Sequence, residues 1–395
     1  MKQNADFVRL IENFHDKIEK PKLSKTSKLF LLNIIRQIKR GAQLWQGPSG
    51  SQIIDAGSLP KGIHYKYLQN EMTSIHNYLE NERHIGKHYE LTIGNRSFNI
   101  FITRPSSDKR QNAILYDIMD KDICKIYLWL FVCCHYSRQV CSQTMDIYMY
   151  LTDLKKTLPE NAADCLTMNH VNTAFTVPCP KGSNEIYIFR CEEWFKVFIH
   201  ETLHSFGLDF ALAREPEMAT MFQSIFPIDS DFEFTETYAE IWGEVINLLF
   251  VSIHESSSDP VLNTNQLFKA IETDLNREQL MSIFQMVKIL DHMKMKYREL
   301  FIPDNPYTEK TNVFPYYILK SVLMFHINEF FEWCHIHNDG SIQFKNENVS
   351  NFFEFVVSRS QKENYMKTID FFESWFKKNK NGLPVMRSLR MSITE

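Results

Sequence analysis

The sequence predicts an α+β fold, and three observations carry that expectation. Helical periodicity dominates both ends of the chain, period-two alternation is confined to the middle, and there a β-rich strand runs straight into an apolar helix. The composition is globular: 44% of the 395 residues are hydrophobic, and 31 Phe and 16 Tyr can fill a large core. With only 12 Gly and 14 Pro, long disordered stretches are not expected.

Residues 1–88 read as a helical N-terminal region. Apolar positions repeat with helical spacing from Phe7 to Ile18, from Leu29 to Ile38 and from Tyr65 to Arg83, and Gly47-Pro48-Ser49-Gly50-Ser51 marks a loop. Residues 89–255 hold the β structure and form the core. ELTIGNRSFNIFITRP alternates around Gly94-Asn95, which predicts a hairpin with strands at 90–93 and 97–103. A helix over 113–136, a strand over 146–151, a short helix-like piece ending at Pro159, an extended segment over 171–177 and a strand over 185–190 follow. The next helix is expected to carry Glu192 and Glu193 in its first turn, where the helix dipole favours negative charge, and to stop at Gly207. A helix over 233–253 precedes a break at Ser256-Ser257-Ser258-Asp259-Pro260. Residues 256–395 read as a helical C-terminal subdomain, with helices over 264–274, 277–299, 314–334, 349–358 and 363–378.

Several function classes are weakened at once. The first twenty residues are charged throughout and lack the apolar centre of a signal peptide. The longest apolar runs, Ile126–Cys134 and Val245–Ile253, are too short to cross a bilayer. A net charge of −4 without a broad basic block argues against nucleic acid as a partner. None of the eight cysteines forms a CxxC pair, so all are expected to be reduced thiols of a cytoplasmic protein. Oligomeric state is left open.

The chemistry lies in His200-Glu201-Thr202-Leu203-His204. Residues four apart share one helix face, so both imidazoles can address one zinc ion, Zn2+. Glu201, beside the first histidine, can act as general base on a water whose pKa zinc lowers to about 7. An HExxH string also arises by chance in unrelated helices; here strand, helix, motif and glycine follow in order. The third ligand is less plain. Gly207 fits the continuation HExxHxxGxxH, but the last position is Phe210, which cannot bind zinc, and Asp209 falls one residue early. Downstream, Glu236 and Glu240 stand one helical turn apart, Glu236 being 32 residues after His204.

Together these motifs resemble the zincin metallopeptidases of the gluzincin type. Glu236-Thr237-Tyr238-Ala239-Glu240 is similar to the catalytic domain of anthrax lethal factor over short motifs. The stretch from VNTAFTV to HETLHSFGLDF resembles uncharacterised HExxH proteins of large DNA viruses, which implies host cytoplasm or virion as the setting. The resemblance covers residues 90 to 250. It implies a mixed twisted sheet with an active-site helix, Glu236 as third zinc ligand and Glu240 as the acid that orients a ligand histidine, with an exchange of those two roles or a plain exposed pair as alternatives. It also implies a peptide or protein substrate held as an added strand along Asn172, Thr173, Ala174, Phe175 and Thr176. Tyr316 and Tyr317 are candidate oxyanion donors, although with 16 Tyr in the chain either one is more often a packing residue.

Two further groupings are weaker. Cys334-His335-Ile336-His337 reads as a helix end with exposed histidines, and Cys133-Cys134-His135 as buried, inert thiols rather than a nucleophile with its base. The expected activity is zinc-dependent hydrolysis of a peptide bond. A zincin-fold binding or scaffold protein without turnover, and a metal-dependent amidohydrolase acting on a non-peptide, are the alternatives.

Overall fold

A computed structural model describes residues 2–54, 59–106, 109–137, 140–161, 163–213, 217–257 and 264–394. The fold is α+β. Two compact units are each assembled from discontinuous stretches: Leu31–Lys156 with Asn172–Leu212, and Met1–Phe30 with Thr157–Val171 and Ala213–Glu395. They do not follow the linear division at residues 88 and 255.

The first unit holds the sheet. Its strands are β1 (Gly50–Ile54), β2 (His84–Ile93), β3 (Arg96–Pro105), β4 (Thr144–Tyr150), β5 (Ala174–Thr176) and β6 (Ser183–Ile188), in the spatial order β1-β2-β3-β4-β6-β5. β3, β4 and β6 run parallel and the other pairings are antiparallel, so the sheet is mixed. The β2–β3 hairpin turns at Gly94, whose φ of +62° is a conformation glycine adopts without strain. Both strands outrun their expected lengths, because pairing continues from Ile93↔Arg96 as far as His84↔Pro105. β1 falls where a loop is expected. Its Gly/Ser start hides it, and as an exposed strand pairing only with β2 it shows no alternating apolar face.

Helix Lys109–Tyr136 packs on β2, and helix Trp194–Ser205, which carries the HETLH motif, packs on β5, β6 and the Lys109–Tyr136 helix. Trp129 Nε1 donates to Thr202 Oγ1 between these two helices. The motif helix begins later than expected. Glu193 adopts a left-handed φ of 58° before it, and no acid occupies the first turn. The reason is a buried ion pair. Lys156 Nζ contacts the Glu193 carboxylate, and Glu192 accepts the Lys156 backbone N–H at 2.9 Å. Burial pulls the Lys156 ammonium below its ordinary pKa, against the attraction of Glu193.

One cysteine pair departs from expectation. Cys141 and Cys179, whose Cα atoms are 4.8 Å apart, form a disulfide. The sheet brings them together, because Cys141 precedes β4 and Cys179 lies between β5 and β6. Sequence spacing gives no sign of it.

The second unit is helical. Helix Thr264–His292 is continuous where two helices are expected, since nothing around Leu275-Asn276 breaks it. The expected helix over 314–334 is divided into π-helical Phe314–Leu319, α-helical Lys320–Phe325 and Ile327–His337, with His326 outside helical geometry. The break expected at Ser256 to Pro260 lies partly outside the described residues, and the helix before it, Thr235–Ser257, runs four residues longer at its end than expected. The irregular segment from Val385 to Thr394 is buried from Ser388 to Ile393 and held through its backbone: Lys288 donates to Val385 O at 3.0 Å, Tyr317 to Leu389 O at 2.6 Å, and Glu278 accepts Thr394 N–H at 2.8 Å. Among the described residues no helix is long and apolar enough to cross a membrane.

Two outcomes follow from these buried charges. Lys156→Met leaves Glu193 without its cation and is expected to cost roughly 3–5 kcal/mol in urea unfolding; a loss below about 1 kcal/mol would show that the pair does not hold the helix entry. Glu309 accepts the Phe314 N–H at 3.0 Å, and burial pushes its carboxyl from 4.5 up to about 8. A raised carboxyl pKa stabilises the folded chain fully below 4.5, and the contribution is lost as pH rises toward 8. Glu309→Gln should therefore gain stability relative to wild type between pH 5 and pH 9. A constant difference across that range would contradict the assignment.

Candidate metal centre

The motif helix is almost wholly buried, because Phe198, Ile199, Leu203 and Phe206 fill the core around it. His200, Glu201 and His204 are 5%, 7% and 5% exposed. Their i, i+4 spacing brings the imidazoles together, with Nε2 of His200 and Nε2 of His204 facing each other at 3.1 Å and the ring planes inclined by 76°.

The helix ends in a way that orients one of the two imidazoles. Gly207 takes a φ of +60°, its N–H reaches His204 O at 3.0 Å, and Leu208 N–H reaches Leu203 O at 2.8 Å. This is the paired closure that a left-handed glycine permits, with Leu203 and Leu208 both buried beside it. The chain then reverses, and the Asp209 carboxylate, itself 5% exposed, contacts Nδ1 of His204. A proton on Nδ1 donated to Asp209 leaves the Nε2 lone pair available to an ion.

Glu236 lies in the first turn of helix Thr235–Ser257 and is 8% exposed. His200, His204 and Glu236 each offer one ligand atom, and all of these atoms lie within 4.8 Å of one another. Among the described residues this is the group of histidine, cysteine and acidic side chains that can hold a metal ion. The donor set fits. Two ligands at about 2.0–2.1 Å from a tetrahedral ion stand roughly 3.3 Å apart, close to the separation of the two imidazole nitrogens. Nitrogen and carboxylate donors suit a divalent first-row ion.

Other expected residues are placed as follows. Glu240 Oε1 is 4.0 Å from Lys320 Nζ, which also binds Glu244 at 2.6 Å, while the acid on His204 is Asp209. β5 is the outermost strand beside β6, and only Ala174, Phe175 and Thr176 belong to it. Asn172 and Thr173 precede the strand; their carbonyls accept from Arg190 Nε at 3.1 Å and from Phe189 N–H at 2.9 Å. Thr176 Oγ1 donates to Glu185 O at 2.8 Å and lies 2.9 Å from Ser205 Oγ on the motif helix. Tyr316 and Tyr317 are buried on the π-helical turn, and the Tyr317 hydroxyl is engaged by Leu389 O. Cys133 and Cys334 are fully buried, and burial drives both thiols well above their ordinary pKa, which disfavours a thiolate nucleophile.

The chain matches no known protein family, no curated protein and no solved structure.

Asp209 is the residue that sequence reasoning missed in role, although the position itself was visible as an acid two residues after Gly207. Its removal tests the geometry. Asp209→Ala is expected to weaken divalent-metal binding about 10–100-fold with the secondary structure retained, measured by chelator competition and circular dichroism. Unchanged affinity would show that His204 needs no orienting acid.

Proposed function

We propose that this chain is a zinc-dependent peptidase with a zincin-like active site of the gluzincin type. The observation that carries the reading is the convergence of one ring nitrogen each of His200 and His204 with a Glu236 carboxylate oxygen, with Glu201 on the same turn as His200. A zinc ion there supplies Lewis acidity and lowers the pKa of a water to about 7. His200, His204 and Glu236 bind the ion, and Asp209 fixes the imidazole of His204. Glu201 takes the proton from the attacking water and delivers it to the departing amine nitrogen. A peptide substrate adds to the sheet along β5, whose position at the sheet edge supports that role.

Purified protein should carry close to one zinc per chain, and His200→Ala should lose it. Glu201→Gln should keep the zinc and lose peptide cleavage by about 10²–10⁴-fold. Equal turnover in wild type and Glu201→Gln would remove Glu201 from the reaction. Protein that folds and binds no zinc would end the proposal.

A further inference from the structure

The Cys141–Cys179 disulfide lies against the end of the motif helix, and its surroundings are built around that end. The Cys179 N–H donates to His204 O at 3.0 Å, and the neighbouring Ser142 Oγ donates to Ser205 O at 2.6 Å. Two of the last helical carbonyls, one of them on a proposed metal ligand, are thus satisfied from the two segments that the disulfide joins. Gly207 packs directly on the bridge: a Cβ there would stand 3.0 Å from Cys179 Sγ and 3.2 Å from Cys141 Sγ. Cys179 and Ser142 themselves adopt left-handed φ values of +41° and +48°, conformations that persist only where surrounding bonds hold them. Asn184 Nδ2 adds to that support by donating to Ser142 Oγ at 3.2 Å and to Val177 O at 3.0 Å.

We infer that Cys141–Cys179 is a redox-reversible clamp on the turn that carries His204 and Asp209. Closed, it fixes the Gly207 reversal and so the contact of Asp209 with His204. Opened, it frees the Cys179 and Ser142 segments to leave their strained conformations, and the helix end loses two of its carbonyl partners.

The two sulfurs differ in access. Cys141 is 2% exposed, whereas Cys179 is half-buried. A thiolate of a small dithiol reductant attacks Cys179 Sγ, the Cys141–Cys179 bond breaks, and Cys141 leaves as thiolate and takes a proton. The second thiol of the reductant then attacks the mixed disulfide, releasing Cys179 as a thiol. Two electrons and two protons pass to the protein, and the dithiol becomes a disulfide.

The coupling to metal affinity rests on the proposed metal centre; the clamp itself has its own readout. The full-length protein is compared oxidised and after treatment with a phosphine reductant. Maleimide labelling under denaturation should add six groups to the oxidised protein, one for each free cysteine, and eight to the reduced protein. Eight additions to the oxidised protein would overturn the inference. Amide exchange across residues 203–209 should accelerate at least tenfold on reduction, and zinc affinity by chelator competition should fall about 10–100-fold. Unchanged exchange, or faster exchange with unchanged zinc affinity, would overturn it. Faster exchange with no zinc bound in either state would leave the clamp standing and defeat the metal reading instead. Cys141→Ser with Cys179→Ser should reproduce the reduced state without reductant; if that variant fails to fold, the reduced wild type carries the comparison.

Discussion

The left-handed turn at Gly207, which closes the motif helix and brings the Asp209 carboxylate to Nδ1 of His204, is the constraint on which the candidate site depends. An imidazole has two nitrogens and one neutral proton, so a ligand histidine is defined only when something else fixes where that proton sits. Asp209 does this for His204, and the turn that delivers it needs a residue without a Cβ. A side chain at position 207 would be strained in conformation and would also meet the sulfurs of Cys141 and Cys179.

The rest of the sheet unit can be understood as support for a buried, polar helix. A helix with His200, Glu201, Thr202 and His204 all buried is costly unless its polar groups are matched. Trp129 meets Thr202 from one side, Ser205 bonds back to Glu201 O at 2.9 Å, and Thr176 links the strand edge to Ser205. At the other end Lys156 neutralises Glu193 and ties its own backbone to Glu192. Charged contacts thus flank the helix at both ends, Lys156 with Glu193 before it and Asp209 with His204 after it, and the apolar Phe198, Ile199 and Leu203 anchor it in the core.

Much of this was legible in the sequence, and the reasons are physical. His200 and His204 announce themselves because helical spacing alone puts them on one face, and the hairpin does so because alternation around Gly94-Asn95 is a local signal. Resemblance favours Glu236 over Glu240 as the third group, and the structure brings Glu236 to the histidines. What was hidden is what only tertiary structure supplies. β1 lacks an alternating face because it is exposed, and the acidic pair before the motif helix mimics a dipole-stabilised first turn because its partner, Lys156, lies thirty-seven residues before Glu193. Cys141 and Cys179 meet because strand order places them side by side, and no spacing rule encodes that. By spacing Asp209 falls one residue short of a ligand position, and its reach from the Gly207 turn makes it a partner of His204 instead.

The central claim is that two imidazoles and one carboxylate of this chain share a single ion, and X-ray absorption at the zinc edge addresses it most directly. Zinc-loaded protein should show a nitrogen and oxygen shell near 2.0–2.1 Å with the multiple scattering of two imidazoles and no sulfur, and Glu236→Ala should lose one light-atom neighbour while keeping both imidazoles. A sulfur shell near 2.3 Å, or an identical spectrum in the Glu236→Ala protein, would contradict it.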